Sequence, residues 1–142
     1  WIEDGLPDFG DLPESAQQLI HDFLKTRTAM RLFKKPATPQ FLWRERAFDV
    51  MIDGQWISGA FDRVVVHLGD GGEPVRAAIY DFKTSESEIA GAYREQMNLY
   101  LKSLSCLIGL PENKITSSLV AVRTGEEIPV GHPLTQGVFF FD

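Results

Sequence analysis

Cysteine is almost missing from this chain: Cys106 is the only one among 142 residues. That excludes an intrachain disulfide and a four-cysteine metal cluster within the chain. Its setting, Leu104-Ser105-Cys106-Leu107-Ile108, is apolar and reads as a buried core thiol, consistent with a reducing cytoplasm. No apolar run of about 18 residues occurs, so no membrane span is expected. The start at Trp1 has neither an initiator Met nor a charged-then-apolar leader, and we read the chain as a piece of a longer, non-secreted protein. Positive charge is also short. Fourteen Lys and Arg against twenty Asp and Glu leave a net charge of −6. This balance counts against tight autonomous DNA binding, in which phosphate neutralisation supplies most of the affinity. It does not count against a metal-dependent site, where bound cations offset local acidity. A Gly-rich phosphate loop, a nucleophile elbow and an HExxH motif are all lacking. His21, His67 and His132 are scattered, and each reads as a surface or helix-packing residue.

What is present is the material of one domain spanning 1–142, with 44% hydrophobic, 24% charged and 11% aromatic residues. Residues 1–13 read as an irregular leader and 124–142 as a mostly irregular tail, apart from an expected edge strand at 138–141. A helix is expected from about Pro13, with Leu19, Ile20, Phe23 and Leu24 on one apolar face. A second short helical piece runs from Thr28 to Phe33 and is stopped by Pro36 and Pro39. Residues 40–53 have strand composition, and Asp53-Gly54 is a strong hairpin signal leading into a strand over 55–68. Gly69-Asp70-Gly71-Gly72 makes the next turn, followed by a third strand from Pro74 to Phe82. From Ser85 to Ile108 the period becomes helical. Ser85 or Ser87 caps the start, and Ile89, Tyr93, Met97, Tyr100, Leu104 and Leu107 make the stripe. Gly109 and Pro111 end it, and a fourth strand is expected over 115–123.

Chemistry concentrates in the strands. Asp81 and Lys83 are two apart and so project to one side of the sheet, with Phe82 turned away. Pairing of the second and third strands would bring Asp62 beside Asp81. Two carboxylates and an ammonium on one face, with the Phe82 backbone carbonyl as a further ligand, make a candidate site for a divalent cation. The bland alternative is a structural ion pair between Lys83 and either aspartate. Glu45 is either a third carboxylate for the site or half of a surface pair with Arg44 or Arg46. Arg63 makes either a structural salt bridge or a phosphate contact. Gln96 and Tyr100 share a helical face; Tyr100 belongs to the apolar stripe, whereas Gln96 is less expected there.

Taken together, Glu45 with Phe48, then Gly59-Ala60-Phe61-Asp62-Arg63, Asp81-Phe82-Lys83-Thr84 and Gln96-Met97-Asn98-Leu99-Tyr100 resembles the RecB-like (AddA-like) branch of the PD-(D/E)XK nucleases. These are typically C-terminal nuclease domains of ATP-dependent helicase–nucleases. The resemblance spans 43–100 with four motifs in order. It implies an α/β fold with a central mixed sheet, an antiparallel three-strand meander and flanking helices. It implies a Mg²⁺-dependent DNA exonuclease, with Mn²⁺ able to substitute, acting in double-strand break repair and recombination. It implies metal binding by Asp62 and Asp81, catalysis by Lys83, assistance from Glu45, and support or DNA contact by Gln96 and Tyr100, with Arg63 the further candidate for phosphate contact. The partners implied are DNA, a helicase domain of the same chain and a partner subunit. The family's upstream Gly-x-x-x-His is not matched, since His21 has Gln17 four positions earlier. A non-catalytic scaffold or DNA-gripping module, and a stand-alone phage-type exonuclease, are the alternative readings.

Overall fold

Alternating apolar positions and two glycine-bearing turns fold the middle of the chain back on itself twice. The computed structural model describes residues 13–34, 39–84 and 92–130. Within them β1 (Gln40–Ile52), β2 (Gln55–Leu68) and β3 (Pro74–Lys83) form an antiparallel meander. At the first turn Asp53 and Gly54 both have positive φ, 51° and 80°, the conformation that a tight two-residue hairpin needs to match the strand twist. The chain then crosses over through α3 (Ala92–Ile108) to β4 (Ile115–Ala121), which pairs parallel with β3. β5 (Glu126–Pro129) completes a mixed sheet of order β1-β2-β3-β4-β5. The N-terminal helices are α1 (Glu14–Leu24) and α2 (Arg27–Leu32).

The helices cover opposite faces of the sheet. Met97, Leu101 and Leu104 of α3 pack with Phe48, Phe61, Val64 and Ile79. On the other side Phe23, Ala29, Leu32 and Phe33 pack with Val120 and Val122, joined by Tyr80 and Phe82. Thr26 makes the corner between α1 and α2. Its hydroxyl donates to Phe23 O at 2.7 Å and accepts from Ala29 N at 3.2 Å, capping α2. The architecture is thus α/β, a five-strand mixed sheet with helices on both faces. Among the described residues no helix is long and apolar enough to cross a membrane.

Four expectations are corrected. Cys106 is exposed, not buried. The buried face of α3 runs through Met97, Leu101 and Leu104 toward Ile108, and Cys106 lies two residues, about 200°, beyond Leu104. For the same reason Leu107 is 42% exposed, and the apolar face passes through Leu101 and Ile108 instead. Finally, Glu126–Pro129 is a strand in a stretch read as irregular, and β4 ends at Ala121 instead of 123. Gly125, at φ 73°, turns the chain so that Glu126 pairs with Ala121 and Pro129 with Ser118. Two glutamates in a four-residue strand carry little apolar periodicity, but Glu127 accepts a hydrogen bond from Ser118 Oγ at 2.9 Å and pairs with Arg31. The leader up to residue 12, the expected caps at Ser85 or Ser87, Ile89 and the expected strand at 138–141 lie outside the described residues.

Candidate active site

Along β3 the side chains alternate as a strand requires. Ala77 and Ile79 are buried under α3, Tyr80 and Phe82 pack on the α1/α2 side, and Asp81 and Lys83 continue the α3-facing row. Asp81 is 6% exposed. Its Oδ2 lies 3.0 Å from Lys83 Nζ, yet this buried oxygen accepts no well-aligned hydrogen bond, so the contact is an attraction of charges with acceptor capacity left over. Lys83 Nζ also sits 4.0 Å from the centre of the Tyr93 ring on α3, a cation–π contact. Burial alone would lower the Lys83 pKa. The Asp81 carboxylate and Tyr93 outweigh it and raise the value, so the ammonium stays charged at neutral pH.

Asp62 comes to this pair from β2. The ladder between β2 and β3 reaches Arg63 opposite Tyr80, and one step further Asp62 Oδ2 accepts the Phe82 backbone N–H at 2.9 Å. Its carboxyl is pushed up to about 7, first by burial and then by its hydrogen bond and repulsion with Asp81. The Phe82 N–H and the Lys83 charge act the other way. Asp62, Asp81 and Lys83 therefore meet on one face: the spacing set Asp81 and Lys83 together, and the pairing of β2 with β3 brings Asp62 to them.

The local backbone explains how Asp62 gets there. In β2 the side chains packed toward α3 include Ile57 and Phe61, then Val64, Val66 and Leu68. The step from Phe61 to Val64 is odd, so the alternation slips once, and Phe61 and Asp62 both point toward α3. Phe61 is fully buried beneath Tyr100 and Phe48, with ring centres at 5.6 and 4.4 Å. Gly59 permits that packing, because a Cβ there would stand 2.8 Å from Phe48 Cζ and 3.2 Å from Tyr100 Cε1. Gln96 Nε2 donates to the Tyr100 hydroxyl at 3.0 Å, tying the two α3 residues together beside this cluster.

Of the other expected site residues, Glu45 stays on the neighbouring strand and Arg63 turns away. Glu45 is exposed and stands across from Asp62 in register. Among the described residues no three His, Cys, Asp or Glu side chains assemble as metal ligands. Arg63, 2% exposed, lies on the α1/α2 side. Its Nη2 donates to Leu32 O at 2.9 Å, and its guanidinium stacks 4.7 Å from the centre of the Phe33 ring. Burial lowers its pKa to about 10. It thus holds the C-terminal end of α2, where a cation is favoured. Tyr93 is the neighbour of Lys83 that sequence reasoning assigned only to the apolar stripe. Its position three residues before Gln96, on the same helical face, was the available signal.

The oxygen donors gathered here are the two carboxylates, with the Phe82 carbonyl adjacent in the chain. No protein-family model matches the sequence, and a search of curated proteins finds no match either.

Proposed function

We propose that Asp62, Asp81 and Lys83 form the centre of a divalent-cation-dependent DNA exonuclease domain of the PD-(D/E)XK type. Such a domain would hydrolyse phosphodiesters within an ATP-dependent helicase–nuclease of double-strand break repair. The observation that carries this reading is the convergence of a buried carboxylate, Asp81, a half-buried one, Asp62, and a charged lysine on one sheet face. A Mg²⁺ ion, or Mn²⁺ in its place, fits that donor set. Asp81 Oδ2 is buried and takes no well-aligned hydrogen bond, and Asp62 is pushed up by burial first and then by Asp81, whose repulsion a cation would offset. Asp62, Asp81 and the Phe82 carbonyl would hold it, and when bound it supplies charge neutralisation at the phosphate and acidifies water.

The chain's own groups do the rest. Lys83, kept protonated by Asp81 and steadied over Tyr93, donates a hydrogen bond to the attacking water or to a phosphate oxygen as negative charge develops. Gln96 and Tyr100 present polar atoms from α3 on the same side of the sheet, where a DNA backbone can be gripped. With a net charge of −6, most of the affinity for DNA falls to other parts of the assembly.

A specific observation also favours a non-catalytic scaffold on the same fold: Lys83 and Asp81 already satisfy one another's charge at 3.0 Å. Calorimetric titration of Mn²⁺ into the chain, with Asp81→Ala beside it, separates the two. Binding by the wild type that Asp81→Ala abolishes supports the nuclease reading and directs cleavage assays on linear DNA. A wild type that binds no Mn²⁺ leaves the scaffold or the unmatched upstream histidine motif, and a longer chain that also binds none rejects the metal centre.

A further inference from the structure

Glu45 is one of two described non-glycine residues with positive φ, at 47°, and unlike Asp53 it sits inside a strand. An L-residue in this left-handed region costs about 1–2 kcal/mol, so its persistence in mid-strand calls for a compensating gain. The surrounding pairs are regular. Arg44 faces Arg63 and Arg46 faces Phe61, with Glu45 and Asp62 the unpaired position between them. Register is kept across this point, but the buried face is not. In β1 the residues packed toward α3 are Phe41 and Trp43 before it, and Phe48, Val50 and Ile52 after it. From Trp43 to Phe48 is an odd step, and β2 makes its own odd step from Phe61 to Val64 at the facing position. Both strands therefore slip by one side chain at the same rung. Had only one slipped, every pair on one side of the rung would have set a core residue against a solvent-facing one.

We infer that Glu45 is a positioning residue that acts through its backbone. Its left-handed conformation is the pivot that lets β2 turn Phe61 and Asp62 to the same side, so that one anchors the core while the other reaches Asp81 and Phe82 N. The carboxylate of Glu45 is not what the site uses. This inference deepens the proposed metal centre and rests on it for its functional consequence, although the geometric part stands alone.

The test replaces Glu45 by Gly and Asn, which accept left-handed φ more readily than Glu, and by Thr and Val, whose branched Cβ resists it. Three quantities are read: thermal midpoint, hydrogen exchange of the Phe82 amide, which reports the Asp62 contact, and Mn²⁺ affinity. Glu45→Gly is expected to raise the midpoint by about 2–5 °C. Glu45→Gly and Glu45→Asn should leave Phe82 protection and Mn²⁺ affinity within about threefold. Glu45→Val should lose at least tenfold in both, and Glu45→Thr, should Val not fold, a smaller part of the same loss. Loss of Phe82 protection or Mn²⁺ affinity in Glu45→Gly and Glu45→Asn would place the role in the side chain and overturn the inference. Full retention in Glu45→Thr and Glu45→Val would overturn it as well. If neither the wild type nor a longer chain binds Mn²⁺, the metal reading fails by itself, and Phe82 exchange still decides the positioning role.

Discussion

The carboxylate of Asp62 takes the Phe82 backbone N–H at 2.9 Å, just where regular pairing of the two strands stops. A side chain thus continues the ladder for one rung and is locked beside Asp81. This contact fixes a charge that burial and its neighbour resist, and the carboxyl titrates near 7 instead of near 3.8.

Between about pH 4 and 7 the folded chain keeps a proton on Asp62 that the unfolded chain has released, so this group favours folding at low pH. Its contribution is complete below about pH 4, declines through that window and is flat above pH 7. Urea unfolding across the range should show wild-type stability falling relative to Asp62→Asn between pH 4 and 7. Parallel curves would reject the assignment.

The same proton should compete with a cation. Mn²⁺ affinity is expected to rise by up to about tenfold per pH unit below 7 and to level off above it, since binding displaces the shared proton. Calorimetry in buffers of different ionisation enthalpy would count the protons released. Affinity independent of pH would place the ion elsewhere.

Gly59→Ala inserts a methyl group 2.8 Å from Phe48 Cζ in a stack that includes Phe61 and Tyr100. Overpacking of this kind costs about 1–3 kcal/mol. Chemical denaturation of the variant measures it, and an unchanged midpoint would show that the rings yield freely.

Arg63→Ala removes the donor to Leu32 O and the stack on Phe33, both on the face away from the carboxylates. A loss of about 2–4 kcal/mol in stability is expected, with Mn²⁺ affinity unchanged within threefold at a temperature where the variant is folded. Lysine should recover little, because an ammonium neither stacks nor spreads its donors as a guanidinium does. A selective loss of DNA or metal binding at full stability would restore a site role for Arg63.

Cys106, exposed on the outer side of α3, should react with a thiol reagent under native conditions at a rate within about tenfold of a free peptide thiol. Reaction that waits for unfolding would return it to the core.

Much of the architecture was legible because it is written in local chemistry. Asp53-Gly54 names its own turn, Leu19, Ile20, Phe23 and Leu24 mark a helix face, and the spacing of Asp81 and Lys83 sets them on one side of a strand. β5 was not legible, since Glu126-Glu127-Ile128-Pro129 has no period and forms as the hairpin partner of β4. The exposure of Cys106 was missed because Leu104, Leu107 and Ile108 make its neighbourhood apolar in sequence, whereas burial on a helix follows angle, not adjacency.

For the site, the sequence alone determined which groups are available and which of them share a strand face, because period-two geometry is a property of the backbone. The hairpin turns already named which strands neighbour one another; only the tertiary structure decided where their alternation slips. That slip turns Asp62 toward Asp81 and follows Arg63 turning away to hold α2. Such slips are set by what both strands must bury at once, and no single segment contains that information.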